Sequence, residues 1–131
     1  FAGTGNMSYE FVSRGCEHVT AVEMNFKHIK FIKKTLAQLE MQNVEVKRKD
    51  VFKYLESPVQ SFYVIFADPP YQMKETNTIP ERIFSSSILE KDGYFILEHS
   101  KNTDFSGHPN LHEKRAYGSV HFSIFRHNLE E

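Results

Sequence analysis

The stretch NFKHIKFIKKTLAQLEMQ, residues 25–42, constrains the fold more than any other part of the chain. Ile29, Ile32, Leu36 and Leu39 recur at helical spacing, while Lys27, Lys30, Lys34 and Gln38 face elsewhere. That is the pattern of a helix with one buried side. Asn25 is placed to cap its start, and Asn43 lies just past its end. Two strand-like runs bracket it, EHVTAVE at 17–23 and NVEVKRKD at 43–50.

The same alternation continues in both directions. Phe1 to Asn6 reads as a glycine loop and Met7 to Ser13 as a short helix. VFKYLES, from Val51, reads as another short helix, which Pro58 ends. SFYVIFAD, Ser61 to Asp68, has the near-continuous apolar character of a strand covered on both faces. KETNTIPE reads as a polar loop, with Pro80 in the first turn of a helix running to about Leu89. A turn is expected at Asp92-Gly93, followed by a strand through Glu98. The tail LHEKRAYGSVHFSIFRH fits two strands joined around Gly118. Strands and helices in this order predict one three-layer α/β domain over residues 1–131, with an antiparallel edge.

Composition narrows the function classes. A net charge of -1 leaves no global electrostatic footprint for nucleic acid, although local basic clusters remain. The single cysteine, Cys16, excludes an internal disulfide framework and suits a reducing, cytoplasmic setting. No apolar run approaches the roughly 20 residues that span a bilayer, so no membrane partner is expected. Seven histidines and one cysteine show no metal-ligand spacing, so no metal is expected.

Three acids fall where open α/β sheets hold ligands, at the carboxyl ends of expected strands. Gly3 and Gly5 occupy a strand-to-helix turn, where a ligand can approach the backbone. Ser8 stands in place of a third glycine, and no Gly-Lys-Ser/Thr follows to make a P-loop. Glu23, twenty residues beyond Gly3, can accept both ribose hydroxyls of a nucleoside cofactor. Asp50 can accept from an adenine amine, and the Val51 amide can donate to a ring nitrogen. Each motif alone also reads as an ordinary surface turn.

IFADPPYQM, residues 65–73, ends its apolar run on two prolines that stop any regular strand. Asp68 and the Pro69 carbonyl are two acceptors able to hold both hydrogens of an exocyclic amine. Tyr71 offers a flat face to a base drawn out of its stack.

FAGTGN, SRG, VTAVE and IFADPPY together resemble the bacterial 16S rRNA guanine-N2 methyltransferases often called RsmD. The resemblance covers nearly the whole chain and is strongest over the first 71 residues. It implies the class I, Rossmann-like methyltransferase fold, with seven strands and the last antiparallel. S-adenosylmethionine is the implied cofactor, and N2 of guanine 966 in 16S rRNA, free or within the small ribosomal subunit, the implied target. By the same resemblance Phe1, Gly3, Gly5, Glu23, Met24, Asp50 and Val51 would hold the cofactor. Asp68, Pro69, Pro70 and Tyr71 would form the catalytic element. Lys27, Lys47, Arg48 and His99 are the candidate RNA contacts. Family members carry a strand, an aspartate and a basic stretch ahead of the position of Phe1, so the chain is expected to be N-terminally incomplete. The alternatives are a DNA adenine-N6 methyltransferase, which can share DPPY, and a non-enzymatic nucleotide- or RNA-binding domain.

Overall fold

A computed structural model describes residues 1–128. The chain divides into two compact units, one over Phe1–Tyr54 and the other from Leu55 onward, where the sequence suggests a single one.

The first unit is built on a parallel pair, β1 (Val19–Glu23) and β2 (Val44–Arg48), in register from Val19 opposite Val44 to Glu23 opposite Arg48. Parallel strands need a crossover, and α2 (Phe26–Gln38) supplies it. Ile29, Ile32 and Leu36 are its buried residues, as the periodicity predicts, whereas Leu39, the fourth of that series, caps the helix end and is 50% exposed. The Asn25 side chain accepts from the His28 amide at 3.1 Å and so caps the start. Ahead of β1, α1 (Asn6–Ser13) follows the glycine loop, and α3 (Val51–Glu56) follows β2.

The second unit contains a four-stranded sheet in the order β3-β4-β6-β5. Its strands are β3 (Phe62–Ala67), β4 (Leu89–His99), β5 (Leu111–Tyr117) and β6 (Val120–Phe125). β3 and β4 run parallel, while β6 is antiparallel to both β4 and β5. Gly118, at φ +63°, makes the β5–β6 turn. One face of β4 carries Phe95, Leu97 and His99, all buried. Phe125 stacks on Phe95 at 5.5 Å, and Phe84 of α4 (Ile79–Ser85) lies 6.3 Å from Phe125. Leu97 and Phe125 bury on the same side, because Ser123 pairs with Leu97 and Phe125 with Phe95.

Four local expectations change. The segment at Asp92-Gly93 is not a turn, because β4 runs unbroken from Leu89 to His99. A Cβ on Gly93 would stand 2.6 Å from the Tyr63 carbonyl oxygen and 2.8 Å from Leu89 Cδ1. The glycine therefore admits the β3 backbone beside a bulge, where the register shifts between Phe62 and Val64. β3 is not covered on both faces, since it ends the sheet order and leaves Tyr63 65% and Val64 46% exposed. α4 stops at Ser85 rather than near Leu89, because the backbone turns extended at Ser86 and enters β4 at Leu89, and a 3-10 helix at Lys74–Thr78 replaces part of the expected loop.

Gly93→Val is expected to destabilise the protein by about 2 kcal/mol or more, since backbone and packed side chain both block the new methyls. Gly107→Ala, where a Cβ meets nothing within 4 Å, is the matched control. Urea unfolding of the two variants against wild type measures the difference.

Candidate functional site

The glycine loop is held from below by a carboxylate. Glu23 ends β1 and is 8% exposed. Its Oε1 accepts from the Gly3 amide at 2.7 Å and its Oε2 from the Asn25 amide at 2.9 Å. His28 Nδ1 stands 3.5 Å from Oε2. Burial works against ionisation of Glu23, but the amide bonds from Asn25 and Gly3 outweigh it and hold its pKa below the usual 4.5. The acid that sequence reasoning assigns to a ribose thus also ties the loop to the helix cap.

Two glycines make the loop possible. Gly3 at φ +58° and Gly5 at φ +88° adopt left-handed backbone. A Cβ on Gly5 would also collide with the Tyr9 ring, whose hydroxyl donates to the Thr4 carbonyl at 2.7 Å. Nothing lies within 4 Å of a Cβ built on Gly3, so the loop is open on that side.

Asp50 precedes α3, and its Oδ1 accepts from the Phe52 amide at 2.8 Å. The first amide of that helix, on Val51, has no intrahelical acceptor by position. Phe1 packs edge-on against Phe52 at 6.2 Å, and Met24 is 61% exposed. The first unit therefore brings together Phe1, Gly3, Gly5, Glu23 and Met24 around β1, and Asp50 and Val51 beyond β2.

In the second unit Asp68 follows β3 directly. The Met73 amide donates to the Pro70 carbonyl at 3.0 Å, which closes the turn after the two prolines. Pro69 is buried, whereas Asp68, Pro70 and Tyr71 are exposed. Among the described residues no hydrogen bond reaches the Asp68 carboxylate or the Pro69 carbonyl. Both acceptors are therefore open, whereas each oxygen of Glu23 already accepts one amide hydrogen. Although Asp68 is exposed as a residue, partial burial of its carboxyl raises its pKa.

Sequence reasoning overlooked Glu98. The pKa of this half-buried acid at the end of β4 is raised by burial and by the charge of Asp68. Tyr71 is raised likewise, by burial and by the charges of Glu98 and Asp68. An acid closing an apolar strand is the signal that marks Glu23 and Asp68, and it marks Glu98 equally.

The candidate RNA contacts divide. Lys27 is exposed. Arg48 lies over the Phe26 ring at 5.1 Å, opposite β1's Glu23 in register, and Lys30 approaches the same ring at 5.6 Å. Lys47 is half-buried with its Nζ 5.7 Å from the Tyr54 ring. His99 is buried rather than placed to meet RNA. It is 5% exposed, its Nδ1 donating to the Ser100 carbonyl at 2.8 Å and its Nε2 2.7 Å from Ser123 Oγ. Burial lowers its pKa, which suits the neutral ring that this pairing requires. The strand's alternation decides this, because His99 falls on the face of Phe95 and Leu97.

Among the described residues no group of three or more His, Cys, Asp or Glu side chains is placed to hold a metal ion. No helix there is long and apolar enough to cross a membrane.

A family model described as conserved hypothetical protein 95 matches residues 1–126. YlbH of Bacillus subtilis, whose name provisionally makes it an rRNA methyltransferase, is 31% identical over 133 residues, spanning 96% of this chain and 72% of its own length. The ribosomal RNA small subunit methyltransferase D of Buchnera aphidicola (subsp. Baizongia pistaciae) is 27% identical over 129 residues, covering 95% of this chain and 66% of the relative. The crystal structure of HI0767 from Haemophilus influenzae, provisionally a methylase, superposes with a TM-score of 0.84 at 24% identity, over 95% of this chain and 81% of that one. At that identity the likeness shows the fold, an α/β Rossmann-like mixed-sheet methyltransferase fold.

Two outcomes are expected. Glu23→Gln should cost about 2 kcal/mol at pH 7, the scale of charge-assisted bonds to buried amides. Because the folded pKa is lowered, that stabilisation exists above the ordinary Glu value of 4.5 and fades as pH falls through the folded pKa. Urea unfolding from pH 7 down to pH 3 should show the two proteins converging. Separately, Asp68→Asn should lower the pKa of Glu98 by removing a neighbouring charge, as read by carboxyl carbon NMR titration.

Proposed function

We propose, because the chain belongs to the family described as conserved hypothetical protein 95, that it transfers a methyl group from S-adenosylmethionine to the exocyclic N2 amine of a guanine in 16S rRNA, guanine 966. At the level of family and fold it is related to the S-adenosylmethionine-dependent methyltransferases of the RsmD-like kind. The observation that carries the finer reading is the pair of open acceptors at the end of β3, the Asp68 carboxylate and the Pro69 carbonyl, with Tyr71 45% exposed beside them. The relative named for the small ribosomal subunit supports rRNA as the class of target.

The cofactor-side residues fit a nucleoside. The glycine loop is open at Gly3, Glu23 is ionised by its amide partners, and the Val51 amide heads a helix with no internal acceptor. When bound, S-adenosylmethionine supplies a methyl group on a sulfonium, an electrophile that needs no metal. Gly3, Gly5 and Glu23 hold the ribose and methionine side, and Asp50 and Val51 the adenine.

This chain's own contribution at the acceptor is orientation. An amine on a purine ring is a poor nucleophile, since its lone pair is delocalised. Asp68 and the Pro69 carbonyl accept its two hydrogens and draw the nitrogen toward a tetrahedral geometry, so that its lone pair points at the incoming methyl group. Tyr71 stacks on the extruded base. The amine loses a proton on transfer, and Asp68 is the group placed to take it, its raised pKa bringing it closer to that task. Lys27 and Arg48 add phosphate contacts to the RNA.

Asp68→Ala is expected to lower single-turnover methylation by about 100-fold or more while leaving S-adenosylmethionine affinity within a few-fold. Tyr71→Ala should weaken productive RNA binding by about 1–3 kcal/mol. The test is methylation of 30S particles and of 16S rRNA fragments with the product nucleoside identified by mass spectrometry. N2-methylguanosine at position 966 is the expected product, and N6-methyladenosine or a fully active Asp68→Ala enzyme overturns the reading.

A further inference from the structure

The parallel register between β3 and β4 has a consequence at their ends. Ala67 pairs with Leu97. The next residue on each strand is an acid, Asp68 on one and Glu98 on the other. Neighbouring strands lie about 4.8 Å apart, and register partners of a parallel pair point to the same face. Val64 with Tyr94 and Phe66 with Ile96 lie on one face, and Asp68 with Glu98 continues that series. The opposite face of β4 carries the buried Phe95, Leu97 and His99. Glu98 is flanked on its other side by Phe122 of β6, its antiparallel partner.

Two carboxylates side by side are unfavourable unless something with hydrogens meets them. Among the described residues no Lys, Arg or His forms an ion pair with either acid. Burial, and after it the charge of Asp68, keep the Glu98 carboxyl above its usual range. Such a pair suits a ligand with several donors along one edge.

We propose that Glu98 is the specificity-determining residue of this site, accepting the N1–H of the target guanine while Asp68 and the Pro69 carbonyl accept the two hydrogens of its N2 amine. The inference rests on the guanine reading above and deepens it. Guanine's Watson–Crick edge presents three adjacent donor hydrogens, one on N1 and two on N2, against three acceptors. Adenine and cytosine place a lone pair next to their amine, and the Glu98 carboxylate repels it. Selection against those bases follows from one unpaired carboxylate, because a site built to bond a donor rejects the analogue that lacks it. Glu98 leaves the transfer chemistry to Asp68 and Pro69.

The test uses two synthetic RNA hairpins of the guanine-966 region, identical except that one carries 2-aminopurine at the target. That base keeps the amine at C2 but has a lone pair on N1. Wild-type protein should methylate the guanine hairpin with a kcat/KM about 100-fold or more above the other. Glu98→Gln, whose amide donates as well as accepts, should lose about 30-fold on guanine and narrow the preference to within about 5-fold. Glu98→Asp, which keeps the carboxylate, should retain the preference at reduced rate and serves if the Gln variant fails to fold. Equal losses on both hairpins, or an unchanged ratio, overturn the role of Glu98 while leaving the guanine reading intact. Methylation of neither hairpin by wild-type protein, with adenine modified instead, overturns the guanine reading itself.

Discussion

Parallel strand pairing is the constraint on which the rest of this protein depends. In a parallel pair both strands end on the same side, so whatever follows them must share one edge. β1 with β2 obeys this in the first unit, and β3 with β4 in the second. Within each unit the strand ends then deliver short polar sequences to one edge, Glu23 and Asp50 in the first, Asp68 and Glu98 in the second. The crossover requirement explains why long amphipathic sequence, such as α2, lies between such strands rather than a two-residue turn.

The acids at these ends do different work because their partners differ. Glu23 receives two amide hydrogens and stays charged despite its burial. Asp50 spends one oxygen on the start of α3. Among the described residues no hydrogen bond reaches the carboxylate of Asp68 or Glu98, and burial, then the charge of Asp68, raises Glu98. A satisfied carboxylate organises backbone, whereas an unsatisfied pair is poised for an external donor. The same residue type thus builds a loop in one unit and an acceptor array in the other.

Much of this was legible in the chain. The periodicity of Ile29, Ile32 and Leu36 places α2, and Asn25 caps it as its chemistry suggests. The DPPY turn and the hairpin at Gly118 also follow from local residue types. The misses share a cause. Asp-Gly at 92–93 has turn chemistry, yet the close approach of Tyr63's carbonyl makes Gly93 a strand residue. SFYVIFAD looks doubly covered, but its place at the end of the sheet order exposes Tyr63 and Val64. His99 has the polarity of a rim residue, but the pleat turns it inward against Ser123.

Local sequence alone determined most helices and strands, the glycines of the loop at 3–5, and that acids and prolines end the strands. Those properties depend on a residue and its near neighbours, through periodicity, capping and backbone sterics. Only the tertiary structure decided that Asp68 and Glu98, thirty residues apart, stand side by side, and that Glu23 also braces the glycine loop beside it. Register and burial are set by pairing between distant segments, and no single stretch of chain contains that information.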